Sequence, residues 1–270
     1  MAEPTYRMQR LGQALQLLRE RAGMSQHQVA QRLHYNVPKI SRIENGQLPD
    51  IHALRAMLDL YGVIGDEEAP YIEMWELARE KGWWRAYALD GYGYLGLEHD
   101  AARVREFQFG YIPGQLQTVR YMRALFTGSA RQRSKKRIED DVAIRVRRQQ
   151  RLVADNPLEY HAIIYEAALR QADREQLLHL VEVGRLPNVT IQVLLESAGL
   201  HEGQSGPFTL LDMPFAGDPQ VLYIEYMGGS IHIEDSRQVK AATLVFKHLS
   251  KLALSHDESA TWIERLAAER

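Results

Sequence analysis

Residues 25–44, which read SQHQVAQRLHYNVPKISRIE, constrain the fold more than any other part of this chain. Six apolar positions in this stretch have the spacing that makes two short helices pack on each other across a tight turn. They are Val29, Ala30, Leu33, Tyr35, Ile40 and Ile43. The polar residues between these positions are left on the outside. The stretch therefore predicts a helix-turn-helix whose second helix has an exposed face.

Helix start and stop signals lie where this interpretation needs them. Ser25, followed three residues later by Gln28, has the pattern of a capping box. Asn36 is a natural N-cap for the second helix, and Pro38 falls in its first turn, where a missing N–H costs little. Flanking helices are predicted around two further apolar sets, which are Leu11, Leu15 and Leu18, then Ile51, Leu54, Met57, Leu58 and Tyr61.

An exposed helix of this kind fits the major groove of DNA, although a helical bundle used only for protein contact has the same apolar pattern. Lys39 and Arg42 are expected to read bases, because Lys and Arg can donate two hydrogen bonds to guanine. Gln26 is expected to position a phosphate, because the N-terminus of a helix favours anions. The predicted DNA-contacting residues are Gln26, Asn36, Val37, Pro38, Lys39, Ser41 and Arg42.

Residues 11–62 resemble the Xre/Cro-type helix-turn-helix family, and the run ISRIENG at 40–46 is similar to that family's recognition-helix ending. The resemblance implies a homodimer on palindromic double-stranded DNA and a structural role for Glu44. His34 stands where the family usually has Gly. A non-Gly residue there must adopt an unfavourable left-handed backbone or reshape the turn.

The composition is that of a folded chain, with 45% hydrophobic and 25% charged residues among 270. The absence of cysteine excludes disulfides and thiolate metal sites. No apolar run is long enough to cross a bilayer, and the N-terminus lacks the apolar core of a secretion signal, so we expect a cytoplasmic protein. The net charge of −2 does not exclude DNA binding by one module, since local charge governs the encounter with phosphate.

Three regions follow from the pattern along the chain. Residues 1–65 form the predicted helix-turn-helix domain. Residues 66–97 are a predicted helical connector, which contains the apolar stripe Tyr71, Met74, Trp75 and Ala78 and then a Gly- and Tyr-rich loop, ALDGYGYLGLE. Trp83 and Trp84 before this loop could stack on bases or a ligand, but packing at a domain junction is favoured. Residues 98–270 form the third region.

The third region predicts an α+β domain with a small mixed or antiparallel sheet, so the chain is expected to be multidomain, with an all-α module first. Helices are predicted over Leu97–Phe107, Leu116–Phe126, Leu177–Val183, Ser236–Leu252 and Asp257–Ala268, and from about Ser134 with Ile138, Val142, Val146 and Val153 on one face. Strands are predicted over Tyr160–Tyr165, Val189–Leu195, Pro207–Met213, Val221–Tyr226 and Ser230–Glu234, the last two joined as a hairpin through Met227-Gly228-Gly229.

The basic residues of the helix that begins near Ser134 have two interpretations. A solvated, salt-bridged helix with pairs such as Asp141 and Arg145 is favoured over a second phosphate-binding surface.

Four runs of the third region resemble the C-terminal domain of actinomycete WhiJ-like regulators, a domain commonly described as antitoxin-like. They are YIPGQLQTVRYMRALF, LPNVTIQVLLESAGLHEG, GPFTLLDM and VLYIEYMGGSIHIED. The resemblance implies a transcriptional regulator whose C-terminal domain binds a small partner protein encoded nearby.

No catalytic constellation is visible, so we expect neither an enzyme nor a metal or cofactor site. The nearest metal candidates are His201-Glu202, His232 with Glu234, and His99-Asp100, and none has the HExxH spacing of a zinc site. A ligand-gated repressor is the alternative to partner binding. Its small-molecule pocket would be lined by the loop at 197–206 together with Tyr223 and Glu225.

Overall fold

The structure is a computed structural model that describes residues 4–80, 82–87, 93–130, 132–214 and 219–270. The chain divides into two compact units, Met1–Leu97 and Glu98–Arg270, and each is described by itself.

The N-terminal unit is built from helices. They are α1 (Tyr6–Arg21), α2 (Gln26–Arg32), α3 (Val37–Glu44), α4 (Ile51–Leu60) and α5 (Ala69–Arg79). The predicted caps are confirmed: Ser25 and Gln28 form the capping box of α2, while Asn36 and Asp50 accept the N–H groups of Lys39 and Ala53 at the starts of α3 and α4. Local sequence thus defines where these helices begin.

Helix α5 belongs to the same hydrophobic core as the helix-turn-helix. Trp75 is buried, and its indole N–H donates to the carbonyl of Pro49 at 2.8 Å. The predicted apolar stripe is confirmed, since Ala78 is also buried and Tyr71 and Met74 are partly buried.

The stretch after α5 differs in part from the predicted loop. Trp83–Tyr87 is a short 3-10 helix, in which Trp84 is buried and its ring meets the ring of Trp83 edge-on at 5.8 Å. Residues 88–92 of the loop lie outside the described residues. Residues Gly93–Asp100 form helix α6, so this part of the loop prediction is wrong.

The C-terminal unit contains a six-stranded mixed sheet with the strand order β3-β2-β1-β4-β5-β6. Strands β1, β2 and β3 run parallel, and β4, β5 and β6 continue the sheet antiparallel. The strands are β1 (Arg103–Gln108), β2 (Glu159–Tyr165), β3 (Val189–Leu194), β4 (Phe208–Asp212), β5 (Val221–Tyr226) and β6 (Gly229–Ile233). The fold class and five of the strands are confirmed.

Strand β1 corrects the sequence prediction. The helix predicted over Leu97–Phe107 ends at Asp100, and the residues that follow form a strand between β2 and β4. Leu97, Val104 and Phe107 fit a helical spacing, but pairing with strands on both sides satisfies the backbone of β1 and buries Val104 and Phe107.

Within the described part of this unit, six further helices surround the sheet. They are α7 (Val119–Thr127), α8 (Lys135–Gln149), α9 (Glu166–Arg170), α10 (Arg174–Val183), α11 (Ser236–Leu252) and α12 (His256–Ala268). Helix α11 covers one face, where Phe246 and Leu249 pack with Phe107 and Ile163. The closing helices were predicted closely, whereas α7 begins three residues later than expected.

The face predicted for α8 is wrong in part. Val142 is buried, and Ile138 packs beside it, but Val146 is 36% exposed and Val153 is 68% exposed. Ile144 is buried instead. The inward face of the helix differs from the predicted one because Arg145 and Arg148 point into the unit, where they form hydrogen bonds with Gln117 and Glu98.

Candidate nucleic-acid interface

Helix α3 has one buried face and one face open to solvent. Ile40 and Ile43 are completely buried against the other helices of the N-terminal unit. Pro38 and Arg42 are exposed, and Lys39 is half-exposed. The helix therefore presents cationic side chains on a rigid support, which is what recognition of a DNA groove requires.

A buried ion pair anchors the last turn of α3. Arg19 of α1 donates to both carboxylate oxygens of Glu44, at 2.6 and 3.1 Å, and its remaining amino group donates to the carbonyl of Met24 at 2.8 Å. The Glu44 side chain is 2% exposed. The hydrogen bond to Glu44 raises the pKa of Arg19 above its ordinary value. Through Arg19, three parts of the unit are connected: α1, the last turn of α3, and the turn that precedes α2.

Gln26 belongs to the same network. It is the first residue of α2, and its side-chain N–H donates to Glu44 at 2.7 Å. The structure thus gives the Gln26 amide an inward partner, while its phosphate-positioning role stays a prediction. Sequence reasoning assigned Glu44 a structural role but missed Arg19, whose signal was a charged residue next to Leu18 on the apolar side of α1.

Lys39 and Arg42 have different surroundings. The Lys39 ammonium lies 3.4 Å from the centre of the Tyr35 ring, which holds the side chain in one place by a cation–π contact. Arg42 has no ion-pair partner among the described residues. Asp50 lies near Lys39, and its pKa is lowered chiefly by the backbone N–H of Ala53, with a smaller contribution from the Lys39 charge.

The remaining predicted contact residues divide into two groups. Pro38 is open to solvent, and the Ser41 carbonyl accepts the Asn45 amide at 2.7 Å. Val37 packs partly against the core, and the Asn36 side-chain oxygen is used to cap α3. Their roles toward DNA stay predictions, but the structure presents Pro38 outward and turns Val37 inward.

At the turn between α2 and α3, His34 takes the first of the two outcomes expected for a non-Gly residue there. His34 has a φ of 55°, in the left-handed region. The N–H of Tyr35 donates to the carbonyl of Ala30 at 2.8 Å and so closes the end of α2. The turn geometry is therefore kept, with a non-Gly residue in a position that favours Gly.

Gly12 of α1 allows a close approach that sequence reasoning missed. A Cβ at this position would lie 2.6 Å from the carbonyl oxygens of Ile43 and Glu44. Only a residue without a side chain fits at such a distance, so Gly12 sets how closely α1 and α3 pack.

A second phosphate-binding surface is the less favoured interpretation of the basic residues on α8, and two of these residues are used within the C-terminal unit. Arg148 donates to both oxygens of the buried Glu98 at 2.7 and 2.6 Å. Arg145 donates to Gln117, lies 4.5 Å from the Phe126 ring, and has its pKa lowered to about 10 by burial and then by the Arg148 charge.

The ion pair predicted between Asp141 and Arg145 is also wrong. Asp141 pairs with Arg137 at 3.1 Å and with Arg133 at 3.5 Å. Arg145 faces Gln117 instead, because the inward side of α8 offers its guanidinium an amide acceptor and an aromatic ring.

The predicted small-molecule pocket is not assembled. In the loop at 197–206, His201 is 9% exposed and its ring centroid lies 6.3 Å from that of Phe107. Side chains alternate along a strand, so Leu222 packs on the Phe107 face whereas Tyr223 and Glu225 point to the other. The loop and these two residues therefore lie on opposite faces of the sheet.

On the face opposite Phe107, Glu106 is buried. Its carboxylate accepts the Tyr160 hydroxyl and, at 2.9 Å, the side-chain N–H of Gln108. Burial is the main cause that raises the pKa of Glu106 to about 7. Both oxygens have partners in the fold, so this carboxyl is a structural group in a polar layer.

The C-terminal unit also has a surface groove with a volume of about 580 Å³. Helices α10 and α12 form its walls, and β3 forms its floor. Its apolar lining includes Leu180, Val189 and Ile263, and its rim carries Arg185 and Asp257.

No group of three or more His, Asp or Glu residues in the described ranges is arranged to hold a metal ion. None of the helices in the described ranges has the length and apolar character of a membrane-spanning segment.

Comparison with known proteins finds a family model that matches in each unit. Residues 10–70 match a helix-turn-helix domain, which supports DNA binding by the N-terminal unit. Residues 93–265, well over half of the chain, match a domain of unknown function (DUF5753). No curated protein and no solved structure matches the chain. The chain therefore belongs to the family defined by this domain of unknown function (DUF5753), here joined to an N-terminal helix-turn-helix domain.

Proposed function

We propose that this protein is a sequence-specific transcriptional regulator that binds palindromic operator DNA as a homodimer in the cytoplasm. The observation that carries the proposal is the presentation of α3. Its buried carboxylate, Glu44, is neutralised by Arg19, while the guanidinium of Arg42 on the solvent side has no ion-pair partner among the described residues. A groove-reading helix needs cations that its own fold leaves available.

In this proposal, α3 enters the major groove and each copy reads one half-site. Arg42 and Lys39 donate to base edges, where a bidentate contact discriminates by about 1–3 kcal/mol per base. The contact with the Tyr35 ring restricts the Lys39 side chain before DNA binds, which lowers the conformational entropy lost on binding. Half-sites are spaced about 34 Å apart, or a multiple of that distance.

The first test is genome-wide recovery of DNA bound by the intact protein, with Lys39→Ala/Arg42→Ala beside it. A matched control is Lys247→Ala/Lys251→Ala, which removes two exposed cations from α11 of the other unit. We expect a few sites that share an inverted repeat, with each lost base contact weakening binding by about 5- to 150-fold. The control should bind like the parent protein.

Two outcomes would contradict the assignment of residues. If Lys39→Ala/Arg42→Ala retains both affinity and sequence preference, α3 does not read DNA through these side chains. Gln26→Ala should weaken binding evenly across sequences, because phosphate contacts set register and base contacts set specificity. A loss confined to some sequences would contradict its phosphate role.

We also propose that the C-terminal unit is regulatory and not enzymatic, and that it binds a small antitoxin-related partner protein. The support is the resemblance of its four sequence runs to WhiJ-like regulators. The intact protein should form a stable complex with the product of a neighbouring reading frame when the two are produced together. A metal or cofactor that remains bound to the purified protein would argue instead for an enzyme.

A ligand-gated repressor is a second candidate, and the groove between α10 and α12 favours it. A volume of about 580 Å³ is in the range of small-molecule sites. A ligand that binds only the folded protein raises its stability, by about 2.7 kcal/mol at a concentration of 100 Kd. A metabolite that stabilises the parent protein but not Ala260→Trp, which fills the groove, would support this candidate over partner binding.

A further inference from the structure

The two edges of the mixed sheet are treated differently by the fold. At the β3 edge, the outward backbone groups form hydrogen bonds with α12 and with Leu254, which precedes this helix. The Ile191 N–H donates to His256 at 3.1 Å, and the Val193 N–H donates to the Ser259 hydroxyl at 2.9 Å. The Val193 carbonyl accepts the Leu254 N–H at 2.9 Å. This edge is closed to any further strand.

The β6 edge is open. No hydrogen bond from the described ranges reaches its outer side, and residues Gly229 through His232 are exposed. Proteins protect such edges with Lys, Pro or a covering element, and β6 has none of these among its residues. Ile231 is 46% exposed and Tyr226, at the end of β5, is 58% exposed. An unprotected edge is a template for another strand.

We propose that β6 pairs antiparallel with β6 of a second copy of this chain, which joins two sheets across a two-fold axis near Ile231. The strand is self-complementary in this arrangement. Ile231 meets the partner's Ile231 on the face that it shares with Ile224, and His232 lies opposite the partner's Ser230 on the other face.

The charges at the ends of β6 favour antiparallel over parallel pairing of two copies. Glu234 and Asp235 follow β6 at one end. At the other end Gly228 precedes the strand and Gly229 is its first residue, and neither is charged. Antiparallel pairing places each acidic end against the partner's glycines, so no like charges face each other. A parallel partner of the same sequence would put the acidic ends side by side, which destabilises a pair.

The inference rests on the proposed function in one respect, since a palindromic operator needs a two-fold dimer. A single strand pair buries less surface than the 1,200–2,000 Å² of a standard interface, so we expect a weak dimer in solution. When both copies bind one operator, each has a high effective concentration near the other, and this strengthens the dimer.

The absence of cysteine from the chain permits a direct test. Ile231→Cys should form a covalent dimer under mild oxidation, because directly opposed residues bring their Cβ atoms within disulfide reach. Leu244→Cys is the matched control, since Leu244 is a 67% exposed aliphatic residue on α11. We expect at least a tenfold higher yield of dimer for Ile231→Cys. Equal yields, or no dimer in either protein, would overturn the proposal.

A second pair of variants tests the contact without a crosslink. Ile231→Lys introduces the residue that natural edges use against pairing, and Leu244→Lys makes the same change away from the edge. Sedimentation of the intact chain should show a dimer for the parent and Leu244→Lys and a monomer for Ile231→Lys. The proposed pairing of β6 would be refuted if the parent protein were a monomer at all concentrations or if Ile231→Lys were a dimer.

Affinity for an isolated half-site separates this inference from the proposed function. Ile231→Lys should bind one half-site as the parent does but lose at least tenfold on the full operator. If the parent binds no DNA while Ile231→Cys still crosslinks, the regulator proposal fails and the edge contact stands. Capture of another protein's strand at β6, with no self-association, would overturn the inference.

Discussion

Replacing Gly12 with Ala should destabilise the N-terminal unit, although helix propensity predicts the opposite. Ala is about 1 kcal/mol more favourable than Gly inside a helix. In the structure, however, the new Cβ would lie 2.6 Å from two carbonyl oxygens of α3, against an ordinary contact of 3.4 Å or more. Both atoms belong to the backbone, so no rotamer change can relieve the clash.

The magnitude follows from the movement that the clash requires. Helices α1 and α3 must separate by about 0.8 Å to reach van der Waals contact. This movement also stretches the 2.6 Å ion pair between Arg19 and Glu44. Overpacking of this kind costs about 1–3 kcal/mol. Since backbone atoms cannot yield, we expect the upper end of that range and a net loss of about 2 kcal/mol after the gain in propensity.

The assay is urea unfolding of the intact chain, with amide hydrogen exchange of peptides from α1 and α3 to locate the change. The local measurement is needed because the two units can unfold in separate transitions. Gly110→Ala is the matched control, since its Cβ would meet nothing within 4 Å. Unchanged or slower exchange in α3 of Gly12→Ala, with equal or higher stability, would refute the close-packing argument.

Three further predictions concern single residues. Arg19→Ala should cost about 3–5 kcal/mol in urea unfolding, because it leaves the buried Glu44 carboxylate unpaired; a loss below 1 kcal/mol would contradict a structural ion pair. His34→Gly should raise stability by up to about 1 kcal/mol, because it relieves a left-handed backbone; a clear loss of stability would argue that the His34 side chain has a role of its own. Burial raises the pKa of Glu106 to about 7, so stability should fall as pH rises from about 4.5 through 7, and Glu106→Gln should remove this part of the pH dependence in thermal melts; an unchanged profile would show that Glu106 does not titrate there.

Much of the helix-turn-helix was predictable because its determinants lie close together in sequence. Ser25, Asn36 and Asp50 each cap a helix through the N–H three residues later. These bonds form within one turn and need no distant partner. The apolar positions of α2 and α3 are likewise spaced over a single short window. The same locality allowed the closing helices and the β5–β6 hairpin to be predicted.

Two of the errors concern residues whose partners are distant in the chain. Val104 and Phe107 have a spacing that suits a helix as well as a strand, and only pairing with β2 and β4 decides between them. Arg145 has a possible partner four residues away in Asp141, yet it bonds to Gln117, 28 residues away. Local pattern is a weak guide when a nonlocal partner is more favourable.

The sequence by itself determined the helix-turn-helix, the family resemblance and the α+β class, since capping and apolar periodicity are local properties. The tertiary structure decided which side chains are available. It paired Arg19 with Glu44, drew Gln26 inward, left Arg42 without an ion-pair partner in the described part of the chain, and closed the β3 edge. Whether a charge or a backbone group is satisfied depends on what the rest of the fold brings to it, and that is a property of three-dimensional packing.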